Sequence, residues 1–511
     1  MDLLRFAAVG SVDDGKSTLI GRLLSDTRQL FDDQILAIEV ASRRRGHDGV
    51  DLAFVTDGLR HERDQGITID VAYRYAASPK RKFIIADCPG HLQYTANMAT
   101  GASTADLALV VVDARFGLRE QTRRHLCIAT LLRVRQVIVA INKMDLVEWS
   151  EAVFRTVSDE VAVVAGQLGL ESWVSIPISA LFGDNVASLS DAAGYYHGPS
   201  VLGALEAAPT ASRRSSTAEA RFAVQWVLRH PGGGRSYAGM VNAGTFRVGD
   251  DIVVLPSGRA TRVAANETID GPRQEACAPL SVSISLADEL DVARGDLLAP
   301  AGDAPEPTTD IEATVCWFGD APAASGNQYR IKHTTRQTAA VLDDVVGRLD
   351  VQAMAVCPAT TLASNDIGVV RLRTAAPLVA DTYQANRTTG SFILIDPATN
   401  ATVAAGMIGT PLPGPHTPFS AAAATGTAWA GERRTAMTPS TPAATPVVES
   451  CWDDWATSTQ PEPAMPSSTS PPPLPPTASS EPPMSISGSG PWPSPPRWCR
   501  GRPRPSVSWA G

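Results

Sequence analysis

The chain has 511 residues, of which 44% are apolar and 19% are charged, and its formal net charge is −9. This length allows about three domains with sizeable cores, and the acidic balance weighs against a nucleic-acid partner. Seven cysteines occur singly, so the sequence predicts no structural zinc and a reducing, cytoplasmic location. We also expect no membrane partner, because no apolar run approaches the ~18 residues of a span and no signal-peptide pattern precedes the first strand.

A phosphate-binding motif, G-x-x-x-x-G-K-[ST], lies near the amino terminus. It consists of Gly10, Ser11, Val12, Asp13, Asp14, Gly15, Lys16, Ser17 and Thr18. A buried-strand pattern precedes the motif at residues 3–9, and apolar residues at helical spacing follow it. This context predicts backbone N–H groups and a helix N-terminus around a β-phosphate. We expect Lys16 to reach the β- and γ-phosphate oxygens and Ser17 to bind Mg²⁺.

Two further segments are predicted to face the γ-phosphate. Thr68 lies in the run 65–69 and is expected to complete the Mg²⁺ coordination; the alternative is that it is an ordinary strand-forming residue. A strand pattern at residues 82–86 ends in Asp87, Cys88, Pro89, Gly90 and His91. Asp87 is predicted to join the Mg²⁺ shell, and Gly90 allows its N–H to approach the γ-phosphate. His91 is the candidate catalytic residue, orienting the attacking water, with a structural role as the alternative.

The choice of base is predicted from two later segments. The first follows a strand pattern at residues 136–141 and comprises Asn142, Lys143, Met144 and Asp145. The Asp145 carboxylate can accept hydrogen bonds from guanine N1–H and N2–H₂, each worth roughly 1.5–3 kcal/mol, and adenine offers neither donor. The second segment contributes backbone N–H groups and comprises Ser179, Ala180 and Leu181. Together these segments predict GTP and Mg²⁺ as the cofactors.

The fold class follows from how strand and helix patterns alternate. Residues 1–210 alternate strand and helix patterns, which is typical of an α/β P-loop GTPase domain with a parallel sheet. Residues 218–302 and 308–410 contain short β-rich runs separated by turns, which favours antiparallel β-barrels. Residues 411–511 hold 23 of the 39 prolines and are expected to be a disordered, low-complexity tail.

These motifs together resemble the translation-factor class of GTPases, the elongation factor Tu/1-alpha-like family. Within that class the chain resembles the GTP-binding large subunit (subunit 1) of sulfate adenylyltransferase. The matching stretches are residues 10–22, 56–60, 62–70, 80–90, 94–104, 142–146, 294–296, 390–396 and 404–407. The resemblance implies two barrels behind the GTPase domain and a GTPase that drives sulfate activation. It also implies a partner, the small adenylyltransferase subunit, which makes adenosine 5′-phosphosulfate (APS) and pyrophosphate from ATP and sulfate.

Two alternatives stay open at the level of sequence. The chain could instead be an elongation factor-like GTPase that delivers aminoacyl-tRNA, because both classes share the same nucleotide motifs. Some relatives continue into an APS kinase domain, but this chain has no second phosphate-binding loop, so APS kinase activity is predicted to be absent. The tail is then either a Pro-rich docking segment or an out-of-frame remnant of such a domain.

Overall fold

The computed structural model describes residues 2–27, 70–170, 172–209, 219–230 and 233–412. Thr68 lies outside these ranges, as does the predicted tail beyond Leu412. Within them, no helix is both long enough and apolar enough to cross a membrane.

The amino-terminal part contains a six-stranded sheet with the strand order β2-β3-β1-β4-β5-β6. All neighbours are parallel except β2 and β3, which are antiparallel. The strands are β1 (Asp2–Gly10), β2 (Ala72–Ala77), β3 (Arg81–Asp87), β4 (Leu107–Asp113), β5 (Gln136–Asn142) and β6 (Ser172–Pro177). The helices are α1 (Lys16–Asp26), α2 (Thr95–Ser103), α3 (Glu120–Leu131), α4 (Glu151–Leu168) and α5 (Val201–Ala207).

Helices cover both faces of this sheet, which explains why β4 is apolar at nearly every position. Leu109 belongs to a core formed with α1 and α5, whereas its neighbour Val110 belongs to a core formed with α2, α3 and α4. A strand that is buried on both faces has a continuous apolar sequence, whereas a strand with one exposed face alternates apolar and polar residues. The predicted α/β GTPase-type architecture is therefore confirmed, and the carboxyl ends of the parallel strands lie at one edge of the sheet.

Two antiparallel barrels follow the sheet, as predicted. The first barrel comprises β7 (Arg221–Arg229), β8 (Arg235–Ala243), β9 (Thr245–Arg247), β10 (Asp251–Leu255), β11 (Arg259–Thr268), β12 (Gly271–Arg273), β13 (Glu275–Cys277), β14 (Ser281–Leu286) and β15 (Leu297–Pro300). Its ring has the order β10-β15-β7-β8-β14-β11 and closes through pairing of β10 with β11. Closure leaves these six strands without open edges.

The second barrel has the same plan. It comprises β16 (Pro307–Trp317), β17 (Ala323–Ala324), β18 (Gln328–His333), β19 (Arg336–Asp350), β20 (Ala355–Cys357), β21 (Thr361–Leu362), β22 (Ile367–Val379), β23 (Ser391–Ile395) and β24 (Thr402–Ile408). Its ring has the order β18-β23-β24-β16-β22-β19 and closes through pairing of β18 with β19. Trp317 lies in its core and is 1% exposed.

The second barrel shares a hydrophobic core with α2 and α3 of the GTPase-like domain. The Tyr383 hydroxyl donates to the carbonyl oxygen of Leu132 at 3.3 Å. The guanidinium of Arg133 donates to the carbonyl oxygen of Gln384, and that of Arg387 donates to the carbonyl oxygen of Ser103. Buried apolar area and hydrogen bonds to backbone carbonyls therefore hold the second barrel against the amino-terminal domain.

We predict that Gly390→Ala destabilises the second barrel and its contact with α3. A Cβ at this position would lie 2.4 Å from both the Cα and the backbone nitrogen of Tyr383, and backbone cannot yield as a flexible side chain can. Overpacking of this kind typically costs about 1–3 kcal/mol. The midpoint of thermal unfolding should fall by several degrees. Gly302→Ala is the matched control, because a Cβ there meets nothing within 4 Å; equal midpoints for the two variants would contradict the packing argument.

Candidate nucleotide-binding site

The phosphate-binding motif forms the turn between β1 and α1, and its backbone conformation requires glycine at one position. Gly15 has φ +92°, and a Cβ there would lie 2.3 Å from the side-chain nitrogen of Asn142. The Asp14 carboxylate closes the turn by accepting a 2.9 Å hydrogen bond from the backbone nitrogen of Ser11. The loop thus leads directly into the N-terminus of α1, where helical N–H groups and the peptide dipoles favour an anion.

Lys16 and Asp87 meet beneath this turn. The Lys16 ammonium contacts the Asp87 carboxylate, and the two side chains are 7% and 1% exposed. A buried charge is tolerated only when it is paired, so each holds the other in position. Ser17 follows Lys16 in the first turn of α1. Its hydroxyl and the Asp87 carboxylate are hard oxygen donors, the ligand chemistry that Mg²⁺ prefers. Thr68, the third predicted ligand, lies outside the described residues.

The segment from Asp87 to His91 runs directly over the phosphate loop. A Cβ on Gly90 would lie 2.4 Å from the carbonyl oxygen of Gly10 and 3.3 Å from the backbone nitrogen of Val12, so only glycine fits. His91 is half-buried, and its ring forms an edge contact with Tyr94 at a centroid separation of 6.4 Å. The structure therefore places His91 one residue beyond the point where this segment touches the loop.

Cys88 in the same segment is fully buried. Its backbone nitrogen donates to the carbonyl oxygen of Ala8 at 3.1 Å, continuing the pairing of β3 with β1. Burial raises the pKa of the Cys88 thiol to about 12. The side chain is therefore a neutral packing group against α2 and not a reactive thiolate.

The two predicted base-reading segments are joined by Asn142, which is 2% exposed. Its side-chain nitrogen donates to the carbonyl oxygen of Asp14 at 2.8 Å, and its side-chain oxygen accepts from the backbone nitrogen of Ala180 at 2.9 Å. Asp145 lies half-buried in the 3₁₀ turn Met144–Val147. Ser179 is buried beside Ala180, whereas Leu181 is 59% exposed. The structure therefore brings residues 10–18, 87–91, 142–145 and 179–181 to the same edge of the sheet.

Asp113, the last residue of β4, is 1% exposed and was not predicted from the sequence. Its carboxylate accepts from the Lys143 ammonium at 2.9 Å and from the Arg115 guanidinium at 2.7 Å. Burial alone would raise the pKa of Asp113, but hydrogen bonds from Arg115 and Lys143 outweigh burial and lower it to about 2. The sequence did offer one indication: Asp113 directly follows the apolar run of β4, so it lies at the same edge of the sheet as the nucleotide-binding motifs.

Asp113 positions the lysine that spans the two halves of the site. The Lys143 ammonium also donates to the carbonyl oxygen of Asp13 in the phosphate loop. Thr122 of α3 was also missed; its hydroxyl lies 3.0 Å from that of Ser11. The loop is thus supported from β4, β5 and α3.

The Asp14 carboxylate is buried, which disfavours its charged form. Burial raises its pKa to about 6, against the opposing effects of the Ser11 N–H and of Arg119, whose guanidinium lies 3.9 Å from the carboxylate. Asp113 raises the pKa further and Lys143 lowers it. A carboxyl group beside a phosphate-binding turn therefore titrates close to neutral pH.

Comparisons with known proteins agree with this geometry. The family model for the elongation factor Tu GTP binding domain matches residues 1–197, and that for the GTP-eEF1A C-terminal domain-like family matches residues 310–409. The bifunctional enzyme CysN/CysC of Mycobacterium tuberculosis is 52% identical over 412 residues, which cover 80% of this chain and 67% of that protein. Sulfate adenylyltransferase subunit 1 of Citrobacter koseri is 48% identical over 413 residues, which cover 80% of this chain and 87% of that protein. The solved structure of sup35 complexed with GDP aligns over 80% of this chain and 93% of that chain, at 21% identity and with a TM-score of 0.36.

We predict that Asp113→Asn weakens guanine-nucleotide binding. An amide cannot balance the charges of Lys143 and Arg115, so Lys143 loses the contact that holds it against the phosphate loop. Asp113 is buried, but Arg115 and Lys143 are partly exposed, so solvent screens part of the loss, and we expect the Kd for GDP to rise about tenfold. Asp159→Asn, on the exposed face of α4, is the control. A normal Kd for Asp113→Asn, measured by fluorescent-nucleotide titration, would exclude a positioning role.

We predict that Asp14 makes nucleotide affinity depend on pH near 6. Its folded-state pKa lies above the usual 3.8, so protonation stabilises the folded state, and that stabilisation is lost as pH rises from about 4 through 6. Above pH 6 the ionised group also repels an anionic ligand. In Asp14→Asn the amide oxygen can still accept from Ser11, but the charge is absent. The ratio of the wild-type Kd for GDP to that of Asp14→Asn should rise about fivefold between pH 5 and 7.5; a flat ratio would contradict the assignment.

Proposed function

The chain belongs to the family of sulfate adenylyltransferase subunit 1, and we propose that it is the GTP-hydrolysing subunit of a sulfate adenylyltransferase. The observation that carries the proposal is the 48% identity over 413 residues to a subunit 1 of which it spans 87%. Four of the five predicted guanine-nucleotide segments, residues 10–18, 87–91, 142–145 and 179–181, lie at one sheet edge and support it, because that chemistry is what a GTPase subunit must supply.

We propose that residues 10–18 hold the phosphates of GTP and that Lys16 exchanges its contact with Asp87 for the β- and γ-phosphate oxygens. Ser17, Thr68 and Asp87 would hold Mg²⁺, which neutralises charge on these phosphates when it is bound. The proximity of Lys16 and Asp87 supports this assignment, because cation, metal ligand and phosphate must converge. Asp145 would select guanine. In residues 179–181 the N–H groups of Ser179 and Ala180 donate to Asp184 and Asn142, so Leu181 would add the backbone donor.

His91 is the proposed catalytic residue. This role is supported by its place directly after Gly90, which lies against the phosphate loop, because a γ-phosphate would be bound beside that loop. Its role is to orient the attacking water, which requires reach and a suitable tautomer. Backbone N–H groups of the loop and the N-terminus of α1 would stabilise charge as the phosphoryl group departs.

The proposed partner is the small adenylyltransferase subunit, which would form APS and pyrophosphate from ATP and sulfate. This chain would couple GTP hydrolysis to that unfavourable synthesis as part of sulfate assimilation. Coupling requires that the partner contact the GTP and GDP states differently. We assign no APS kinase activity to the chain. A cytoplasmic location is part of the proposal, and the five cysteines in the described ranges, all of them free thiols, suit a reducing compartment.

The test is GTP turnover by the full chain, with and without the small subunit, ATP and sulfate. We expect slow intrinsic hydrolysis, stimulation by the complete mixture, and APS formation that depends on GTP. Absence of stimulation would defeat the coupling, and stimulation by ribosomes in its place would favour a translation factor.

His91→Ala should retain GTP affinity and lose turnover by about 10²- to 10⁴-fold, the range for loss of a general acid–base group. His197→Ala, at an exposed position remote from the motifs in sequence, should leave both unchanged. A parallel loss of affinity and turnover in His91→Ala would show that His91 supports the binding site and does not act on water.

A further inference from the structure

Helix α3 begins at an arginine, which is an unfavourable residue for that position. Arg119 is the N-cap of α3, where side chains that accept hydrogen bonds are preferred and where the helix dipole disfavours a cation. Its guanidinium extends to the phosphate loop, where it donates to the carbonyl oxygen of Val12 at 3.4 Å and lies 3.9 Å from the Asp14 carboxylate. A residue that breaks a local preference without stabilising its own helix is a candidate for a role in function.

The backbone that Arg119 contacts has an unfavourable conformation. Asp13 has φ +66°, in the left-handed region that residues with a side chain seldom adopt. The two carbonyl oxygens that flank its Cα each accept from a cation. That of Val12 accepts from Arg119, and that of Asp13 accepts from the Lys143 ammonium. These contacts therefore hold the loop in a conformation that Asp13 alone would not favour.

The direction of the Val12–Asp13 peptide decides whether it attracts or repels a phosphate. In a trans peptide the C=O and the N–H point in opposite directions. Because Arg119 holds the Val12 oxygen on its own side of the loop, the Asp13 N–H is directed away from Arg119. A peptide turned the other way would present its carbonyl oxygen, the negative end of its dipole, in place of a donor.

The Phe116 ring holds the Arg119 guanidinium in place. The guanidinium carbon of Arg119 lies 4.3 Å from the ring centroid, and that of Arg115 lies 5.0 Å from it. Arg115 is also anchored by two side-chain hydrogen bonds to the Asp113 carboxylate, at 2.7 and 3.0 Å, so Arg119 depends more on the ring. Phe116 is 58% exposed and therefore buries little apolar area, whereas its ring face can attract a cation.

We propose that Arg119 is a positioning residue for the bound nucleotide and that Phe116 supports it. By holding the Val12 carbonyl, Arg119 turns the Asp13 N–H toward the phosphates and slows their release. This inference rests on the proposed function, as far as guanine-nucleotide binding is concerned. It adds two residues that belong to none of the predicted motifs.

The test is the rate at which a fluorescent GDP analogue leaves the full chain, measured with Mg²⁺ present by displacement with excess GDP. In Arg119→Ala the rate should rise about fivefold, as expected for loss of a charged hydrogen bond that solvent partly screens. Arg119→Lys should recover most of that loss, because an ammonium can also donate to the Val12 carbonyl. Phe116→Leu keeps the Arg119 charge but should raise the rate about threefold.

A double variant separates positioning from charge. If the ring acts through the guanidinium, the variant Phe116→Leu, Arg119→Ala should release GDP no faster than Arg119→Ala alone. Multiplied effects in the double variant, or a normal rate in either single variant, would overturn the inference. So would a lower midpoint of thermal unfolding that accompanies faster release, because it would assign both residues a structural role.

Arg155→Ala is the control. It removes one cation from an exposed ion pair on α4 and should leave the release rate unchanged. The wild-type chain separates this inference from the proposed function. If wild type binds GDP no better than ADP, the proposed function fails; if wild type binds GDP and Arg119→Ala releases it at the normal rate, only the positioning role fails.

Discussion

The amide of Asn142 is the contact on which the nucleotide-binding edge depends. Its two polar atoms join the phosphate loop, through the Asp14 carbonyl, to the last base-reading segment, through the Ala180 N–H. Because the side chain is buried, an unpaired amide would incur the full cost of desolvation. Gly15 is constrained by the same contact, since any Cβ there would collide with Asn142. Asn142, together with Lys143, therefore holds the phosphate site and the base site in position relative to each other.

The same phosphate loop is connected to the second barrel through α3. At the start of this helix, Thr122 meets Ser11 of the loop. Two residues further along α3, the guanidinium of Arg124 donates to the carbonyl oxygen of Asn365 in the second barrel. The buried face of α3 belongs to the core shared with that barrel. A shift of the loop on GTP hydrolysis would consequently act on a helix whose other contacts lie in a different domain.

Much of the site could be predicted because each motif is contiguous and carries its own strand, turn and helix signals. Asp113 and Thr122 could not be predicted, since each depends on which strand or helix lies beside the loop, a property of tertiary structure. The sequence also could not predict that Trp226 of β7 is 65% exposed. Phe222, Val224, Trp226 and Leu228 occupy one alternating set of β7, so regular alternation would bury all four, and the bulge after Val224 turns Trp226 outward. The two barrels were predictable as a class, but their contacts with each other and with α3 were not.

The contacts between the barrels extend the physical route from the nucleotide-binding edge to β7 of the first barrel. Arg221, at the start of β7, is buried and pairs with Asp381 of the second barrel at 3.1 Å and with Asp303 at 2.9 Å. Val379 of the second barrel packs in one apolar cluster with Leu297 of the first. Packed interfaces of this kind tend to hold discrete arrangements and do not deform continuously. A change at the phosphate loop that moves α3 and the second barrel would therefore be transmitted to β7 of the first barrel through Arg221 and through the apolar cluster around Val379.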